Sequence, residues 1–158
     1  MSITKGRTLS QSPPSNETVL LPSRLLGQLA VPRDELFTAP TGLYGFEACT
    51  TWALVPAGRD SLWWLQSADR KELVFLLADP FAFFPGYEVD VPPAELAQLG
   101  AAEDAALMAL VIVTLPASGS EAPSANLRAP LVIDPARHVL KQLVMPDESL
   151  SLTAAIGL

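Results

Sequence analysis

The 158-residue sequence has one histidine, His138, and one cysteine, Cys49, far apart along the chain. A metal centre needs clustered His, Cys or carboxylate ligands, and these two residues make no cluster. A single cysteine leaves no partner for an intramolecular disulfide, which fits a reducing compartment. Phosphate-cradling loops of the G-x-G-x-x-G or Walker type are absent, and no G-x-S-x-G elbow accompanies His138. His138 ends the turn-like "DPARH", where a solvated ring is expected, and Cys49 lies between Ala48 and Thr50 with no basic neighbour to activate it. The longest apolar run, "AALMALVIVTL" at 105–115, is too short for a spanning helix, which needs about 20 residues, and reads as a buried strand. The opening "MSITKGRTLSQSPPSNET" lacks the apolar stretch of a signal peptide.

Basic residues are also scarce. Ten Lys and Arg face 17 Asp and Glu, for a formal net charge of -7. A chain of this sign is repelled by nucleic-acid phosphates and attracted to basic proteins. Neither Lys nor Arg occurs between Lys71 and Arg128, and that gap holds Glu72, Asp79, Glu88, Asp90, Glu95, Glu103, Asp104 and Glu121. A block so one-signed is either a solvated face or a surface aimed at a basic partner. Its carboxylate pairs, Glu88/Asp90 and Glu103/Asp104, have no supporting histidine or lysine nearby in sequence, so acid–base catalysis is not expected. No catalytic residue, metal or cofactor is assigned.

Apolar residues are plentiful at 49%, while charged residues make up only 17%, a globular composition. A chain this long buries roughly two-thirds of its unfolded surface. Residues 1–18 read as a disordered tail of Ser, Thr, Pro and Asn, leaving 19–158 as a single β domain. Short apolar runs then alternate with turn residues. Strands are expected over 24–31, 35–38, 51–55, 62–66, 72–78, 107–115, 127–134, 138–145 and 149–154. "PPAELAQLG" predicts one short helix, with prolines at its start and Gly100 just beyond its end. "GLYG", at 42–45, reads as a tight turn: it matches a nucleic-acid-clamping G-x-x-G only weakly and lacks basic company. The fold class expected is mainly β, an antiparallel pseudo-barrel of about eight to nine short strands with one short helix.

The most unusual stretch is "LLADPFAFFPGYEVDVPP", at 76–93. Phe81 and Phe83 are expected in the core. Phe84 and Tyr87 flank a turn and are expected to be partly exposed. Aromatics on a turn rimmed by the acids Glu88, Asp90 and Glu95 are candidate interface anchors.

"TGLYGFE", "LWWLQSADRKELVFLLADPFAFFPGYE", "LVIVTLP" and "SANLRAPLVID", in this order and spacing, resemble the bacterial flagellar assembly factor FliW family, from about Leu20 to the C-terminus. "DPFAFFPGYE" and "ANLRAPLVI" are the most specific pieces. The usual "TFPxGIPGFE" is replaced by "TAPTGLYGFE", with Ala39 and Tyr44 departing from it. The resemblance implies a non-enzymatic, cytoplasmic β pseudo-barrel that binds CsrA, a small dimeric translational repressor, away from its RNA site and so relieves repression of flagellin synthesis. It also implies flagellin as the competing partner, with no direct nucleic-acid or membrane contact and a monomer when free. Asn126 and Arg128, in the "ANLRAP" piece, join Phe84, Tyr87, Glu88, Asp90 and Glu95 as candidate partner-binding residues. The Asn126 amide can instead pin the loop before its strand. Two other functions remain open at this point, a chaperone for flagellin only and a small carboxylate-based enzyme.

Overall fold

A computed structural model describes residues 1–7, 9, 17–119 and 121–158. In chain order its strands are β1 (Ser2–Ile3), β2 (Thr18–Ser23), β3 (Gly27–Pro32), β4 (Phe37–Thr38), β5 (Thr51–Pro56), β6 (Leu62–Ser67), β7 (Val74–Ala78), β8 (Val89–Asp90), β9 (Met108–Thr114), β10 (Ser124–Ala125), β11 (Leu131–Asp134), β12 (Val139–Gln142) and β13 (Ala154–Ala155). Two short helices, α1 (Pro80–Phe83) and α2 (Pro93–Leu99), flank β8, and a 3-10 turn spans Arg33–Glu35.

Seven strands close on themselves in the order β9, β11, β12, β4, β5, β6, β7 and back to β9. Closure removes the exposed edges that an open sheet would present. Six of the seven contacts are antiparallel, as expected. The seventh, β12 with β4, is parallel and joins Val139 to Thr38. β10 and β13 continue from β9 as a short flap.

Period-two side chains explain the two cores. Facing inward are Trp52, Leu65, Leu77, Leu110, Leu131 and Ile133, all buried in one cluster with Phe37 and Leu140. Alternate residues of the same strands, Leu76, Ala78, Ala109, Val111, Val113 and Val132, belong to a second cluster with Tyr87, Val89, Val91 and Leu99. β9 therefore buries both of its faces, which is why its sequence is continuously apolar. A third, small cluster seats the β2–β3 hairpin on Ala53, through Leu21 and Val31.

The helix expected at "PPAELAQLG" forms as α2. Gly100 ends it in the left-handed conformation (φ 65°), and its amide bonds back to Leu96 and Ala97. "GLYG" is the tight turn expected: the Phe46 amide donates to Leu43 O at 2.7 Å. Gly42 is required there, because a Cβ would lie 2.5 Å from Phe46 O at a φ of 63°.

Several expectations need correction. The chain does not begin as a structureless tail: Ser2 and Ile3 pair with Asp90 and Val89, and Ile3 is buried. β2 starts already at Thr18. Residues 8 and 10–16 of that expected tail lie outside the described residues. The strand expected over 24–31 is the second arm of a hairpin whose turn, at 24–26, is held by the Leu26 amide donating to Ser23 Oγ. "DPFAF" is a helical turn, not only a break, because Asp79 caps it by accepting from the Phe81 amide and Pro80 suits the first helical position. Only Ala154–Ala155 is strand in the 149–154 region. His138 is half-buried with φ 56°, its ring 4.9 Å from that of Phe37, so it is not a freely solvated side chain.

Candidate protein-docking site

The two sequence pieces singled out above meet in space. After α1, the chain turns at Phe84–Tyr87: the Tyr87 amide donates to Phe84 O, with Gly86 in the left-handed region at φ 81°. From there side chains alternate. Tyr87, Val89 and Val91 are buried; Glu88 and Asp90 point to solvent. The Tyr87 ring packs 5.8 Å from Phe81, and its hydroxyl donates to Leu127 O at 2.6 Å. That bond joins "FFPGYE" to "ANLRAP". Burial pushes the phenol well above its ordinary pKa, so it stays a donor at any physiological pH.

Asn126 shapes the other half. Its Oδ1 accepts from the amides of Arg128 (3.2 Å) and Ala129 (3.0 Å), folding the chain tightly before β11. The Met145 amide donates to Arg128 O and the Leu127 amide to Ser151 O, which bring 144–152 alongside. Arg128 lies half-buried with one guanidinium nitrogen 3.9 Å from Glu148, and its Nε is buried without a hydrogen-bond partner. Val144 and Leu152 are exposed next to these contacts. Serine bonds hold Asp147 below the usual carboxylate range: the Ser149 hydroxyl and amide both donate to it, with Arg128 adding a weaker pull.

The sequence-derived candidates divide accordingly. Phe84 is half-buried against the second, outer core cluster, so its expected partial exposure holds, whereas Phe81 and Phe83, expected in the core, are only half-buried against the same cluster. Tyr87 is not partly exposed: at 7% exposure it is an internal strut and cannot itself be an anchor. Glu88 and Asp90 are free at the surface. Glu95 is not an isolated acid, because Lys141 forms an ion pair with it from β12, a partner that the local sequence hid. Lys141 also bonds to Gln98 on α2. The geometry gives Asn126 its structural role, pinning the backbone. Arg128 is positioned at the rim.

In the sequence Tyr44 stands out only as a departure from the family pattern, not as a candidate contact. Its ring is exposed at the tip of the "GLYG" turn, while its amide donates to the buried Gln142 Oε1 at 3.0 Å and Gln142 Nε2 donates to Ala129 O. The signal available was an aromatic between two glycines.

Among the described residues, no group of three His, Cys, Asp or Glu is placed to hold a metal. No helix among the described residues is long and apolar enough to cross a membrane.

Residues 21–156 match the family model described as FliW protein. The chain belongs to the FliW family. It is 32% identical over 120 residues to a protein of Natranaerobius thermophilus named flagellar assembly factor FliW, covering 75% of this chain and 80% of that one. A Bacillus licheniformis protein of the same name is 30% identical over 142 residues, covering 88% and 97%. A third, from Syntrophomonas wolfei, is 36% identical over 113 residues, covering 71% and 72%. The fold is also that of a solved structure, the crystal structure of the flagellar assembly factor FliW: TM-score 0.79 at 24% identity, over 87% of this chain and 96% of that one. At that identity the likeness carries the barrel architecture alone. The family match begins at residue 21, C-terminal to β1.

Proposed function

We propose that this chain acts in the cytoplasm as a non-catalytic flagellar assembly factor. It binds a basic translational repressor of the CsrA type, relieves repression of flagellin synthesis, and is captured in turn by flagellin. The observation that carries this reading is the family match over residues 21–156. The surface supports it. Glu88 and Asp90 stand exposed on a backbone made rigid by the Tyr87–Leu127 bond, with Phe84 beside them and Arg128 on the adjoining loop. Such a face suits capture of a basic protein better than turnover of a substrate.

The test is association of this protein with a purified CsrA-type repressor, followed by stopped flow at low and high salt. Replacing Glu88 and Asp90 by Lys changes the local charge by about four units. Association should slow at least tenfold at low salt, since steering contributes factors of about 10 to 1,000. The deficit should shrink toward about 0.5 M salt, where the Debye length falls to a few ångströms. No association with the repressor at either salt refutes the reading. An unchanged on-rate in the folded double variant moves the docking surface elsewhere. Flagellin added to the complex should displace the repressor.

A further inference from the structure

β8 has a single ladder partner among the described residues, and that partner is β1. β1 lies outside the portion matched by the family. Ser2 and Ile3 pair with Asp90 and Val89, the Val91 amide donates to Met1 O at 2.7 Å, and the Met1 ammonium donates to Val91 O at 3.1 Å. Ile3 is buried in the outer core. Beyond it, residues 4–7 line a groove of about 970 Å³. The same groove is lined by three acids, Glu35, Asp60 and Asp79, together with Arg59, His138 and Trp63. Lys5 and Arg7 enter this acidic setting from the N-terminal segment. Gly6 lies so close to the Asp79 carboxylate that a Cβ would stand 2.0 Å from Oδ2. That carboxylate is not free to swing away without losing its bond from the Phe81 amide.

Met1–Arg7 thus behaves as a peptide ligand does: a strand added to a sheet edge, one branched apolar side chain buried in the core, then a glycine close against Asp79 and two basic residues lining a groove shared with three acids. We propose that the β8 edge and this groove form a strand-addition site for an extended basic segment of a partner protein, and that residues 1–7 are its intramolecular occupant. Two ladder pairs and one buried isoleucine are few contacts, so the occupant is held weakly enough to be exchanged. A covalently attached occupant competes at high effective concentration, so it lowers the apparent affinity for the partner segment by the fraction of time that the site is closed.

The probe is the synthetic peptide Met-Ser-Ile-Thr-Lys-Gly-Arg, titrated against the full chain and read by the NMR shifts of the Val89–Val91 amides. Gly6→Val, at an exposed position, should expel the segment without touching the barrel; Ile3→Asp is a second release. In either variant the Val91 amide should lose hydrogen-exchange protection, and the peptide should bind at least tenfold more tightly than to the unaltered chain. A peptide with Glu in place of Lys5 and Arg7 should show no such gain. Unchanged protection of Val91 in both variants, a released segment with no gain in peptide affinity, or equal binding of the acidic peptide overturns the proposal.

Discussion

Tyr87→Phe removes one oxygen atom and tests the strut between the two family-specific segments. The ring remains, with its packing against Phe81 and the outer core. What is lost is the 2.6 Å bond to Leu127 O, a buried carbonyl left without that donor. A net hydrogen bond contributes about 1 kcal/mol, and an orphaned buried acceptor costs about 1–3 kcal/mol, so the variant should be about 1.5 kcal/mol less stable at pH 7. In a domain of this size that is roughly 3–6 °C in Tm. The pH dependence sharpens the test. Burial raises the phenol pKa in the folded state, whereas the unfolded tyrosine ionises near about 10. Below pH 10 the tyrosine's contribution is therefore fully present, and it falls as the pH rises beyond 10, because only the unfolded state sheds the proton. The full effect at pH 11 is about 1.4 kcal/mol; discounted for partial solvent screening it is about 1 kcal/mol. Phe lacks this titration, so its deficit should narrow from about 1.5 to about 0.5 kcal/mol between pH 7 and pH 11. Urea melts at both pH values measure it. A deficit that is absent at pH 7, or present but equal at both, refutes the strut.

Asn126→Ala removes the acceptor for the Arg128 and Ala129 amides and should cost about 1–2 kcal/mol in urea melts, whereas Asn126→Asp, which keeps the acceptor, should cost less. Gly42→Ala forces a Cβ against Phe46 O and should cost more than about 2 kcal/mol, lowering Tm by several degrees. Glu95→Gln weakens the partly exposed contact with Lys141 and should change stability by less than about 1 kcal/mol, with the loss shrinking in high salt.

Local signals in the sequence were sufficient for the barrel staves. β7, β9, β11 and β12 fall within the expected strands, and β5 and β6 run one residue past theirs, because β-branched and aromatic runs end at Pro, Gly and Asp turns. The ends of α2 were legible for the same reason, a proline at the start and a glycine at the stop. Barrel closure was not legible: the pairing of β9 with β11, and the parallel contact of Thr38 with Val139, depend on strand order and not on any residue. α1 and the β2–β3 turn carried readable signals in Asp79-Pro80 and in Ser23 with Gly27, but short capped turns look like breaks when strands surround them. Tyr87 was misplaced because the turn before it dominated the reading. The period-two pattern of Tyr87, Val89 and Val91 against Glu88 and Asp90 had the answer.

The acidic block shows why a linear charge count overstates a surface. Between Lys71 and Arg128 no base is available in sequence, yet folding brings Lys141 to Glu95, and Arg70, just before the block, pairs with Glu72 at 2.9 Å. Asp79 is drawn into the groove, where burial raises its pKa and Lys5 and Arg7 lie along the same walls. Those acids are committed within the molecule. Glu88 and Asp90 differ because the strand that buries Tyr87, Val89 and Val91 must turn its alternate side chains outward. Their exposure is thus a consequence of the same alternation that anchors the turn. A partner steered by these two carboxylates meets a surface whose backbone is held from below by Tyr87 and paired along its side with the exchangeable β1. Any change that loosens β1 should then alter both the groove and the presentation of Asp90, which pairs directly with Ser2.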